Sequence, residues 1–196
     1  GTMAGEAADQ LKDSGCERPT HVFIQAGVGS LAGAVVGYYS NLYAEHPPIF
    51  VVVEAAPAAC HYESALAGDG AIRTVGGNML TIMAGLACGE PNIISWDILK
   101  NHVRAFLSIS DETAARGMRM LAAPLKGDAT VVSGESGAST FGALAELLSA
   151  PEYGGLREAL EIDETSSILL FSTEGDTDPD RYRDIVWGGQ NTDFFN

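Results

Sequence analysis

Five short apolar runs punctuate this chain, and the segments between them carry apolar residues at helical spacing. The runs His21 to Gln25, Ile49 to Val53, Leu107 to Ile109, Thr130 to Val132 and Ile168 to Phe171 predict strands. Ile49-Phe50-Val51-Val52-Val53 is continuous rather than alternating, the pattern of a strand covered on both faces in a parallel sheet. Helices are predicted over Met3 to Leu11, with Lys12 in the last turn and Gly15 as the cap, and after Ser30, with Leu31, Val35, Tyr38, Tyr39 and Leu42 on one face and Pro47-Pro48 beyond the end. Others are predicted over Ala58 to Leu66, over Trp96 to Phe106 with Ser95 as N-cap, and over Glu112 to about Ala122, capped by Asp111 and stopped before Pro124. A further helix runs to Leu148, an acidic one ends near Leu160, and Tyr182, Ile185, Val186 and Trp187 suggest a docking helix in the tail.

Strand and helix alternate at spacings that suit βα units. The expected fold is therefore α/β, a three-layer sandwich with a mostly parallel sheet and helices on both faces. A length of 196 residues without internal repeats suits a single domain spanning residues 1–196.

Composition narrows the partners. A formal charge of -15 excludes nucleic acid and anionic membrane surfaces, which this surface repels. The three cysteines, Cys16, Cys60 and Cys88, form no C-x-x-C pair, which points to reduced thiols in a cytoplasm. No apolar run is long enough to span a membrane and the first residues carry no secretion signal. Gly1 is not an initiator methionine and the first residues already resemble the inside of a helix, so a fragment of a longer protein is expected.

The candidate chemistry centres on Phe23-Ile24-Gln25-Ala26-Gly27-Val28-Gly29-Ser30-Leu31-Ala32-Gly33. A strand running through a glycine-rich turn into a helix is anion-binding hardware: glycines allow positive φ and close approach, and the helix start offers free N–H groups and a positive dipole end. Three other strand ends carry polar or glycine residues, namely Glu54, Ser133 to Ser136, and Ser172-Thr173-Glu174-Gly175. Two readings of the glycine loop stay open at this point. Gly27-x-Gly29-x-x-Ala32 with Glu54 at the end of the next strand also fits a permissive dinucleotide fingerprint, with Glu54 on the ribose of a nicotinamide cofactor. Gly134-Glu135-Ser136-Gly137-Ala138 lacks the final glycine of a nucleophile elbow, and no histidine follows it. His21, His46, His61 and His102 have no metal-ligand spacing, and the acids from Glu174 to Asp180 lack the glycine and glutamate of a calcium loop.

Several blocks taken together carry a family resemblance. Gln25 to Gly33, Gly76-Gly77-Asn78-Met79, Thr81 to Pro91, Ser133 to Ala138 and Ser172 to Asp178 occur in order and resemble the diaminopropionate ammonia-lyases. These are pyridoxal-phosphate enzymes of the fold type II group, beside threonine dehydratase, serine racemase and cysteine synthase. The resemblance implies the large domain of such an enzyme. It implies that Gly27, Val28, Gly29, Ser30 and Leu31 hold the cofactor phosphate, that the Gly85 backbone lines the ring, and that Ser172, or alternatively Thr173, faces the pyridine nitrogen. Glu135 resembles an acid near the ring.

The implied reaction eliminates ammonia from 2,3-diaminopropionate and leaves pyruvate and a second ammonia. The full-length protein would act on a small amino acid as a homodimer. Some relatives place a metal at the glutamate matching Glu54 with a carboxylate six residues on; Cys60 stands there instead, so no such metal is expected. The Schiff-base lysine of the family lies upstream, and Lys12, Lys100 and Lys126 match none of its motifs, so this chain alone is expected to be inactive. A serine or threonine dehydratase, a dehydrogenase domain and a non-catalytic binding or dimerisation module are the alternative readings.

Overall fold

The computed structural model describes residues 2–192. In chain order the elements are α1 (Thr2–Asp13), β1 (His21–Gln25), α2 (Ser30–Leu42), β2 (Ile49–Ala55), α3 (Cys60–Ala67), α4 (Ile93–His102), β3 (Val103–Ile109), α5 (Asp111–Ala122), α6 (Glu135–Ser149), α7 (Gly154–Ala159), β4 (Ile168–Leu170) and α8 (Pro179–Val186). The strands form one sheet in the order β3-β2-β1-β4, with every neighbouring pair parallel. From β1 the chain builds outward through β2 and β3, then returns to the far side of β1. That reversal places a topological switch point between β1 and β4, and open α/β sheets take their ligands in the crevice beyond such strand ends.

The period of two in a strand sorts its side chains onto two cores. Phe23, Val51 and Val53 pack with Met118 of α5, Leu147 of α6 and Ile185 of α8. Val22, Ile24, Phe50 and Val52 pack with Ala4 of α1, Tyr39 of α2 and Leu99 of α4. Both faces of β1 and β2 are thus covered, which is why their sequences are apolar without alternation. The architecture is the expected three-layer α/β sandwich. Among the described residues no helix is long and apolar enough to cross a membrane.

Several local expectations are corrected. Thr130 to Val132 forms no strand: among the described residues no strand pairs with this segment, Val131 and Val132 are 36% and 49% exposed, and its contact with α5 is the bond from Val131 N–H to the Leu121 carbonyl. The helix expected over residues 96–106 ends at His102, and the chain passes directly into β3, which holds Phe106. The cap of α4 is Asn92, whose side-chain oxygen accepts from Ser95 N–H, and that of α5 is Ser110, which accepts from Thr113 N–H. Asp111 instead binds Thr81 Oγ1 and Ile82 N–H, tethering the segment that precedes Gly85.

The buried face of α2 is Ala32, Gly33, Val35, Val36 and Tyr39, while Leu31 and Leu42 are exposed. Small residues win that face because α2 lies close on α4: a Cβ on Gly33 would sit 2.9 Å from Ser95 Cβ. In the tail, Ile185 is fully buried but Trp187 is 88% exposed.

Candidate functional site

The carboxyl end of β1 is where hydrogen bonding stops. Ala26 N–H still bonds to the Val53 carbonyl, and the next backbone bond is from Gly33 N–H to the Gly29 carbonyl. Among the described residues, the N–H groups of Gly27, Val28, Gly29, Ser30, Leu31 and Ala32 have no protein acceptor. Gly29 adopts φ +89°, a left-handed turn that bends the strand into α2. Six free donors at the start of a 13-residue helix make an anion site, reinforced by the helix dipole. The Val28 carbonyl accepts from Asn92 N–H, which ties the loop to the cap of α4.

Around this loop the other predicted segments close an arc. Gly27 packs on Gly85, whose carbonyl would lie 3.0 Å from a Cβ at position 27. Gly85 N–H donates to Ser136 Oγ at 3.2 Å. Ser133 Oγ accepts from Ser172 Oγ at 2.9 Å. Gln25, at the end of β1, donates from Nε2 to the Phe171 carbonyl at 3.1 Å and to Thr173 Oγ1 at 2.7 Å, bridging the switch point beyond the last β1–β4 ladder pair.

Two of these connections escape sequence reasoning. Gln25 and the Glu174 side chain, which accepts from Ser136 N–H at 2.6 Å and caps α6, act across pairs far apart in the chain; the clue present was a polar residue closing a buried strand. Glu135, at the start of α6, is largely buried and pairs with Arg181 of α8 at 3.0 Å.

Glu54 does not serve the loop as the dinucleotide reading requires. It is fully buried, and its carboxylate accepts from His61 N–H (2.9 Å), Tyr62 N–H (2.7 Å) and His61 Nδ1 (2.8 Å). Fully buried and turned onto the start of α3, it presents no exposed oxygen to a ribose hydroxyl. Cys60 stands beside it, and donor atoms of Glu54, Cys60 and His61 lie within 4.8 Å of one another. Burial, with the Glu54 charge second, pushes the Cys60 thiol from 9.0 up to about 12, so the cluster is wired as hydrogen bonds around a protonated thiol. The serine-hydrolase motif is likewise absent from the geometry: Ser136 Oγ accepts from Gly85, and among the described residues no histidine bonds to it.

A doubly wound parallel sheet with a backbone anion site and a row of hydroxyls at its switch point defines an α/β domain suited to an anionic ligand with further polar groups. The chain belongs to the family of pyridoxal-phosphate dependent enzymes, which it matches over residues 1–161. It is 50% identical over 191 residues to the diaminopropionate ammonia-lyase of Salmonella typhimurium, a match covering 97% of this chain and 47% of that protein. The crystal structure of diaminopropionate ammonia lyase from Escherichia coli in complex with an aminoacrylate-PLP azomethine reaction intermediate superposes with a TM-score of 0.89 at 43% identity, over 97% of this chain and 48% of that one. The processed form of threonine deaminase isoform 2 from Solanum lycopersicum, at 15% identity and a TM-score of 0.67 over 95% of this chain and 48% of that one, shares the fold. This chain thus spans about half the length of the ammonia-lyases it matches.

Proposed function

We propose that this chain is the larger part of the cofactor-binding large domain of a diaminopropionate ammonia-lyase, one domain across residues 1–196, and that the full-length protein converts 2,3-diaminopropionate to pyruvate and two ammonia. The observation that carries the proposal is the anion site of six free N–H groups joined to the Gly85, Ser136 and Ser172–Thr173 arc, together with 50% identity to an ammonia-lyase along nearly the whole chain. The loop fits pyridoxal phosphate because free donors and an uncharged, glycine-lined surface match a phosphate dianion, and the adjacent hydroxyls match a pyridine nitrogen.

When bound, the cofactor supplies the electron sink that makes a substrate α-proton removable. The residues of this chain hold and orient. The N–H groups of Gly27 to Leu31 bind the phosphate, and Gly85, held by Ser136, presents backbone rather than side chain to the ring. Of the two hydroxyls, the hydrogen bonding favours Thr173 for the ring nitrogen. The Gln25 amide is fixed by the Phe171 carbonyl, which only a donor faces, so Thr173 accepts from Gln25 and keeps its own O–H free to donate. Ser172 directs its proton to Ser133. A neutral hydroxyl at the ring nitrogen, in place of a carboxylate, favours prompt elimination.

Glu135, paired with Arg181, acts by fixing α8 against the start of α6 rather than by touching the ring. The Schiff-base lysine belongs to the upstream half: Lys12 lies at the end of α1, Lys100 bonds Asp97 on α4, and Lys126 lies after α5. The chain alone is therefore inactive, binds no metal at Glu54, and functions within a cytoplasmic homodimer.

The test is a pyruvate assay on the full-length protein with added pyridoxal phosphate, offering 2,3-diaminopropionate, serine and threonine separately. Fastest turnover of diaminopropionate is expected. Preference for serine or threonine would move the substrate assignment to a dehydratase, and no keto acid from any of them would overturn the proposal.

A further inference from the structure

The Glu54–His61 pair lies outside the arc yet bears on it through one glycine. Glu54 accepts from His61 Nδ1, so that nitrogen carries the proton and the opposite edge of the ring, Nε2, points elsewhere. It points at Gly29: a Cβ built there would lie inside contact distance of Nε2 and 2.8 Å from Cε1. Nε2 is buried and, among the described residues, has no hydrogen-bond partner. A buried nitrogen without a partner is costly, and an apolar side chain would fill the space without that cost. The Trp96 ring packs against the same imidazole at a centroid distance of 6.1 Å, so the ring is held by α3, α4 and the Glu54 carboxylate together.

We propose that His61 is a positioning residue of the anion loop. Glu54 fixes the ring, and the Nε2 edge receives the Cα hydrogen of Gly29 that a side chain would replace, a weak C–H contact that holds the left-handed turn. That turn aims the N–H groups of Gly27 to Leu31 at the phosphate. Gly29 is thus required twice, by its φ of +89° and by the imidazole behind it. The inference rests on the pyridoxal-phosphate proposal above and adds the residue that sets the loop's geometry.

The experiment uses the full-length protein and pyridoxal phosphate as probe. Cofactor affinity, the 31P chemical shift of the bound phosphate and the thermal midpoint of the apoprotein are measured for wild type, His61→Asn, Gly29→Ala and the double variant. His61→Asn keeps a donor for Glu54 but empties the space behind Gly29. It is expected to weaken affinity about fivefold, as loss of one weak contact implies, and to move the 31P shift. Gly29→Ala is expected to lose about a hundredfold, as for a misplaced binding group, and His61→Asn is expected to restore part of that loss because the imidazole no longer meets the new Cβ.

Equal affinity and an unmoved 31P shift in His61→Asn would overturn the inference while leaving the cofactor proposal intact. A double variant that binds no better than Gly29→Ala alone would also overturn it. Failure of the wild type to bind pyridoxal phosphate would overturn both.

Discussion

The two strand ends that flank the switch point work by opposite means. At the end of β1 the chain offers backbone: six N–H groups without acceptors among the described residues and a glycine in a left-handed turn. At the end of β4 it offers side chains, Ser172 donating to Ser133 and Thr173 accepting from Gln25 with its own O–H free. An anion needs many donors converging from a rigid curve, which backbone supplies at no side-chain entropy cost. A ring nitrogen needs one donor with a set proton, which only a held hydroxyl supplies. Substitutions at β1 should therefore act through conformation and destroy affinity, whereas substitutions at β4 should act through chemistry and change rate.

The sharpest way to break this contrast is Gly29→Val in the full-length protein. A β-branched residue at φ +89° also meets the His61 ring, and strain added to a misplaced loop should cost cofactor affinity about a thousandfold. Equilibrium dialysis against pyridoxal phosphate checks this.

Glu54→Ala comes next. It strips the acceptor from two backbone N–H groups and a buried imidazole, and should lower unfolding stability by about 3 kcal/mol in denaturant titration.

At β4, Thr173→Val should lower kcat about tenfold, the worth of one oriented donor, with cofactor affinity little changed. Ser172→Ala should do less than Thr173→Val. The reverse order in steady-state kinetics would return the nitrogen-facing role to Ser172.

The smallest effect is alkaline. The native state holds the Cys60 proton more tightly than the unfolded chain, with the thiol raised from 9.0 to about 12. This contribution is fully present below pH 9 and is lost as pH rises through 12, amounting to about 1 kcal/mol by pH 10. Cys60→Ser should flatten that limb in pH-dependent unfolding.

What could be read from the chain, and what could not, follows the same division. β1 and β2 were legible because burial on both faces leaves an uninterrupted apolar run, and the anion loop because glycine is required where φ is positive. The start of β3 was not, since no breaker separates His102 from Val103 and the helical pattern of α4 continues in the sequence to Phe106. Thr130-Val131-Val132 had strand propensity but no neighbour to pair with, and propensity without a partner does not make a strand.

The candidate site divides likewise. Glycine and hydroxyl positions announced themselves, while Gln25 and the Glu174 cap depend on pairings between β1, β4 and α6 that no local pattern encodes. Glu54 was visible as an acid at a strand end, but its partner His61 turns it from a candidate ribose ligand into the support of α3.

The most direct test of the central claim is amide NMR on the full-length protein labelled with 15N-glycine, titrated with pyridoxal phosphate. The Gly27 and Gly29 resonances, assigned by Gly→Ala variants, should shift and gain protection from exchange, while Gly68, Gly70 and Gly127, in loops away from the switch point, stay in place. Unmoved Gly27 and Gly29 resonances in a protein that binds the cofactor would contradict the assignment of the phosphate to the end of β1.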